Sequence, residues 1–128
     1  MSTRVALDTS ALMMPVELDV RLFDELERLL GAAELIVPQP VIEELRRLSE
    51  KGGTEGTAAS VGYDLATERC LVVDTEESYA DDALVELARE GSVDYVVTND
   101  RPLRDRVLEA SIPVLALRGR NKLAITQP

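Results

Sequence analysis

The sequence predicts an α/β protein, a three-layer α/β/α sandwich around a central parallel sheet of about five strands. Three observations predict it. Short continuous apolar runs alternate with longer stretches of helical period, the pattern of strands buried on both faces and separated by helices. Gly31, Pro38, Gly52 and Gly91 fall between those stretches, where punctuation belongs. The 128 residues suffice for one hydrophobic core and no second, so the chain reads as one domain over residues 1–128, with 118–128 a C-terminal tail or short edge strand.

Thr3 to Leu7 reads as a short buried strand ending at Asp8. Val20, Leu22, Phe23, Leu26, Leu29 and Leu30 form a helical stripe over 19–30, stopped by Gly31. Glu34 to Val37 is a second strand. Pro38 and Pro40 open a helix through Val41, Leu45 and Leu48, since a proline lacks the N–H that would be unpaired in a first turn anyway. Gly52 to Gly56 reads as a flexible joint, followed by a helix from about Thr57 to Arg69 and a third strand over Cys70–Val73. Tyr79 to Glu90 is a helix with Ala83, Leu84, Leu87 and Ala88 on one side. A strand over 94–98, a helix over 100–110 and a strand over 112–117 complete the alternation, and Leu123 to Thr126 is a candidate edge strand.

Composition narrows the chemistry. Histidine is absent and there is one cysteine, so imidazole acid–base catalysis, a Ser-His-Asp triad and imidazole or thiolate metal sites are excluded. Cys70 has no partner for an internal disulfide and reads as a small core residue. Catalysis must rest on carboxylates, which suit hard, oxygen-seeking cations. The opening residues carry no secretory pattern and no apolar stretch reaches the roughly 20 residues of a membrane-spanning helix, so a soluble cytoplasmic protein is expected. The net charge is −10, with only Lys51 and Lys122 as lysines. This acid-rich, lysine-poor balance resembles adaptation to a high-salt cytoplasm, as in halophilic archaea. The charge is uneven: residues 1–100 hold 8 basic and 22 acidic side chains, whereas 101–128 hold 6 basic and 2 acidic. Arg101, Arg104, Arg106, Arg118, Arg120 and Lys122 are therefore either solvated end charges or a local phosphate-contacting patch.

In a parallel sheet the functional groups gather beyond the carboxyl ends of the strands. Four acids fit that rule: Asp8 after the first strand, Glu44 one turn into the helix after the second, Asp82 at the start of the helix after the third, and Asp100 after the fourth. Each alone has a plain structural use, as a helix cap, a dipole partner or a solvated face. Gathered at one edge they would repel and raise one another's pKa unless a cation held them, which points to one or two Mg²⁺ or Mn²⁺ ions.

The run Leu7-Asp8-Thr9-Ser10, then Val37-Pro38 and Val41 leading to Glu44-Leu45, then Asp82-Ala83-Leu84, then Val97-Thr98-Asn99-Asp100, resembles the PIN-domain nucleases. The likeness extends from Val5 to about Leu115. It implies a PIN-like sandwich and a Mg²⁺- or Mn²⁺-dependent endoribonuclease, with Asp8 and Asp82 as principal metal ligands and Glu44 and Asp100 as further acids. Thr9, Ser10 and Asn99 match polar residues that support the site. Asp81 and Asp82 are adjacent, and either can be read as the third acid; the Asp-Ala-Leu run favours Asp82. Tyr79 to Asp82 with Asn99 to Arg104 also resembles the branch of ribosomal-RNA-processing and stand-alone archaeal enzymes, which tilts the reading from a VapC toxin toward RNA processing or decay. Arg101, Arg104, Arg118, Arg120 and Lys122 would hold the RNA backbone. The resemblance further implies a homodimer and, for a toxin, an antitoxin protein covering the acidic groove. A catalytically silent RNA-binding scaffold is the alternative from another class. A receiver-like phosphoacceptor is disfavoured, since Lys51 and Lys122 lie in a loop and the tail rather than at a strand end.

Overall fold

The computed structural model describes residues 2–128. Six strands and six helices follow one another as β1 (Thr3–Leu7), α1 (Thr9–Glu17), α2 (Leu22–Leu30), β2 (Ala33–Pro38), α3 (Gln39–Ser49), α4 (Gly53–Arg69), β3 (Leu71–Val73), α5 (Ala80–Arg89), β4 (Tyr95–Val97), α6 (Arg101–Glu109), β5 (Val114–Arg118) and β6 (Lys122–Thr126). The sheet order is β3-β2-β1-β4-β5-β6. The first five strands are mutually parallel, and β6 runs antiparallel to β5 with Arg118 opposite Lys122. The sheet thus has one strand more than the parallel set expected, supplied by the candidate edge strand.

From β1 the chain winds outward through β2 to β3, then returns to the other side of β1 for β4 and β5. Right-handed crossovers put α1 to α4 on one face and α5 and α6 on the other. The winding reverses between β1 and β4, so a crevice opens beyond their carboxyl ends, and Asp8 and Asp100 follow those two strands. The central strands are apolar throughout because both faces are covered. Val5, Ala6, Leu7, Val96 and Val97 are wholly buried, packed with Leu12, Leu45, Leu84 and Leu103.

Two local readings are corrected. A helix over Thr9–Glu17 follows Asp8 directly, with Pro15 inside it, where proline is easily taken for an interruption. The Gly52–Gly56 joint is mostly helix: α4 begins at Gly53, whose φ of +73° suits glycine, and the turn from α3 is closed tightly. A Cβ on Gly56 would lie 1.8 Å from the Lys51 carbonyl oxygen, and one on Gly62 would lie 2.8 Å from that of Leu12. These glycines serve close approach rather than mobility.

At the far edge, α2 grips β6. The Arg28 guanidinium donates to both carboxylate oxygens of Glu25, at 2.8 and 3.0 Å, and to the Leu123 carbonyl at 2.9 Å, while the Leu123 N–H donates to Glu25 at 2.9 Å. Cys70 is half-buried and unpaired, and burial pushes its thiol up to about 11, so it stays protonated and unreactive near neutrality. Among the described residues no helix is long and apolar enough to cross a membrane.

Candidate metal centre

Asp8 stands where β1 gives way to α1. Its extended backbone makes it the N-cap, and Oδ1 accepts the Ala11 N–H at 2.8 Å. The Ser10 hydroxyl donates to the same oxygen at 2.8 Å, and the Thr98 hydroxyl donates to Oδ2. The side chain is 4 % exposed. Burial outweighs the hydrogen bonds from Thr98, Ala11 and Ser10, the Asp81 charge adds to it, and the carboxyl is raised to about 7.

The end of β4 is built around the same carboxylate. Thr98, fully buried, accepts the Asp100 N–H at 3.0 Å on the hydroxyl that donates to Asp8. Asp100 caps α6, accepting the Leu103 N–H at 3.0 Å. Asn99 donates its N–H to Ser10 Oγ at 3.0 Å and accepts the Leu117 N–H at 2.9 Å, which joins this loop to β5. From α3, the Glu44 carboxylate accepts the Thr9 hydroxyl. The plain and functional readings of Asp8 and Asp100 therefore coincide, since both are helix caps that also face the crevice.

One open depression collects Asp8, Thr9, Ser10, Glu44, Asp81 and Asp100, together with Met13, Leu48, Glu17 and Glu55. No basic side chain lines it. Partial desolvation raises the Asp81 carboxyl, and Asp100, Glu44 and Asp82 add like charge despite the opposing Arg106.

Asp82 is turned elsewhere. Its Oδ1 lies 3.0 Å from Arg106 Nη1, and it lines a separate depression with Glu76, Glu77, Glu86 and Arg89. The motif favours Asp82 as the third acid, whereas the structure places Asp81 in the crevice and Asp82 beside Arg106. Successive residues in a first helical turn point about 100° apart, and here Asp81 lines the crevice while Asp82 lines the neighbouring depression. Position along α5 carries no information about the attraction of Arg106 on α6.

Three contributors escaped the sequence reading. Thr98 could have been found as the polar residue closing an otherwise apolar strand. Glu17 falls at helical spacing from Ser10 and Met13, a signal visible only once α1 is recognised. Glu55 depends on the fold-back of α4 and left no sequence signal. Among the basic residues, Arg101, Arg118 and Arg120 are exposed and Arg104 half-buried at the carboxyl edge of the sheet, and none forms an ion pair among the described residues. Arg106 is engaged by Asp82, and Lys122 Nζ lies 3.8 Å from Glu25.

Comparison with known proteins identifies the family and agrees with the fold. Residues 5–120 match the model of a PIN-like domain. The chain belongs to the PIN-like domain family. Ribonuclease VapC4 of Methanocaldococcus jannaschii is 30 % identical to this PIN domain over 125 residues, 95 % of each chain. The solved PIN-domain endonuclease Utp24 superposes with a TM-score of 0.79 at 25 % identity, over 98 % of this chain and 92 % of that one. VapBC2 from Rickettsia felis, solved bound to a DNA fragment from its promoter, shares the fold at a TM-score of 0.66 and 14 % identity, over 91 % and 100 % of the two chains.

Proposed function

We propose that this PIN domain is a Mg²⁺- or Mn²⁺-dependent endoribonuclease acting in RNA processing or decay in the cytoplasm, with Asp8, Glu44, Asp81 and Asp100 around one or two ions. The observation that carries the reading is a crevice lined by six carboxylates and no cation, at the switch point of the sheet. Two of those carboxyls are raised, Asp8 to about 7 and Asp81 by burial and its acidic neighbours. Such a cluster destabilises the fold by its own repulsion, and a divalent cation relieves it.

The donor set fits such an ion. All the donors are oxygens, which suits magnesium and manganese and not soft metals. Among the described residues no group of three or more acids is gathered in a metal-holding arrangement. Asp8 and Asp100 are fixed as caps, whereas Asp81 is exposed and makes no hydrogen bond among the described residues. Asp81 is thus the acid free to adjust. When bound, the ion supplies Lewis-acid stabilisation of the charge that develops on the phosphoryl oxygens. The chain's own part is orientation. Thr98 ties Asp8 to the Asp100 backbone, Ser10 ties Asp8 to the Asn99 loop, and Thr9 holds Glu44. Arg101, Arg104, Arg118 and Arg120 stand at the same edge to receive phosphates, which makes binding weaken as salt rises.

Purified protein with Mn²⁺ is expected to cleave single-stranded or structured RNA, and Asp8→Asn to reduce cleavage to background. Intact RNA at both low and high salt, with Mn²⁺ present, contradicts the reading. The likeness to ribonuclease VapC4 favours a second reading, a toxin whose antitoxin covers the acidic crevice. A small antitoxin gene directly upstream, whose product co-purifies with this chain, distinguishes it from a processing enzyme.

A further inference from the structure

The acidic centre leaves one conspicuous side chain without a task. The chain has four aromatic residues, and three are packed. Phe23 lies 3.9 Å beneath the Arg69 guanidinium, Tyr63 lies beneath that of Arg46 and accepts its hydrogen bond, and Tyr95 is half-buried in β4. Tyr79 is 76 % exposed. A large ring in water contributes nothing to the core. Its backbone is nevertheless held. The Tyr79 carbonyl accepts the Ala83 N–H at 2.9 Å, and the loop before it is tied to α5 by the Glu86 carboxylate, which accepts the N–H groups of Glu76 and Glu77. The ring is thus presented from a fixed lip, two residues before the acid that enters the crevice.

The charge around it limits what it can meet. Residues 74–82 include Asp74, Glu76, Glu77, Asp81 and Asp82 and no basic side chain. Arg89 and Arg106 reach the depression behind this lip, Arg106 paired with Asp82, so acidic groups still predominate and a strand reaching Asp81 finds one large neutral surface, the phenol ring. A π face accepts any unpaired base without reading its sequence, and a base inside a duplex cannot offer its face.

We propose that Tyr79 is a stacking platform for one unpaired base of the substrate strand, beside the phosphodiester held at the acidic crevice. This deepens the ribonuclease reading and rests on it for the identity of the strand. Stacking is neutral, so it persists at salt concentrations that screen the arginines.

The chain has no tryptophan, so Tyr79→Trp installs a single reporter. On mixing with Mn²⁺ and a single-stranded oligoribonucleotide, its fluorescence is quenched before turnover, and the same strand annealed to its complement leaves it unchanged. Tyr79→Ala lowers kcat/KM on the single strand about tenfold, the size expected for one base–aromatic stack, while Tyr79→Phe stays within about twofold of wild type. Wild-type cleavage without quenching, or Tyr79→Ala cleaving as well as wild type, overturns the platform and leaves the ring to a protein partner. Quenching without any wild-type cleavage overturns the ribonuclease reading instead and leaves the stack standing. Failure of both overturns both.

Discussion

Two carboxylates are almost equally removed from water, at 4 % exposure for Asp8 and 5 % for Glu25, and their environments are opposite. At the α2–β6 edge, Glu25 meets the Arg28 guanidinium on both oxygens and the Leu123 N–H, with Lys122 nearby, and is lowered to about 2. In the crevice, Asp8 meets hydroxyls and one backbone N–H but no cation, and is raised to about 7. Asp8 lies deep, where desolvation outweighs its hydrogen bonds, whereas Glu25 is covered at the sheet edge, where the hydrogen bonds from Arg28 and Leu123 outweigh desolvation. One carboxylate fastens an edge strand. The other is held ready for a charge that the polypeptide does not supply.

The sharpest way to break this comparison is Asp8→Asn. A carboxyl raised in the folded state stabilises the protein below its unfolded pKa, and that contribution is lost as pH rises through the folded value. In metal-free protein, stability therefore falls between about pH 4 and 7, by up to about 4 kcal/mol from this one group. Asp8→Asn is expected to flatten that fall and raise the neutral unfolding midpoint, read by denaturant titration across pH, while abolishing cleavage. A variant less stable than wild type at neutral pH without metal would mean that the cap outweighs the charge. Next in size is Glu25→Gln. A lowered carboxyl stabilises above its unfolded pKa and ceases to do so as pH falls toward 2. The variant should lose stability at neutral pH, lack the wild-type decline in acid, and cleave as well as wild type with Mn²⁺. Smallest is Lys122→Gln, whose exposed ammonium is 3.8 Å from Glu25. The unfolding midpoint should stay within error, because exposed pairs at this distance contribute little.

The same contrast explains what was legible in the sequence. Elements with a continuous apolar run or a clear helical stripe were readable, including β1, α2, β2, α5 and the candidate strand that became β6. The α1 helix was hidden by Pro15, and the glycines of the α3–α4 turn imitate a loop because close packing and flexibility select the same residue. Asp8, Glu44 and Asp100 could be placed because each follows a strand in a parallel sheet. Spacing leaves Asp81 and Asp82 open, because the orientation of each depends on partners such as Arg106 on α6. Glu25 was read only as part of the α2 stripe, and its clamp on β6 joins residues 98 positions apart in the chain.

The crevice acids, with Asp81 rather than Asp82 among them, are expected to hold the divalent ion. Calorimetric titration of Mn²⁺ into wild type, Asp81→Asn and Asp82→Asn near neutral pH tests it most directly. Wild type and Asp82→Asn should bind alike, and Asp81→Asn should bind at least about tenfold more weakly. No binding by the wild type, or loss of binding in Asp82→Asn with Asp81→Asn unaffected, would contradict the account.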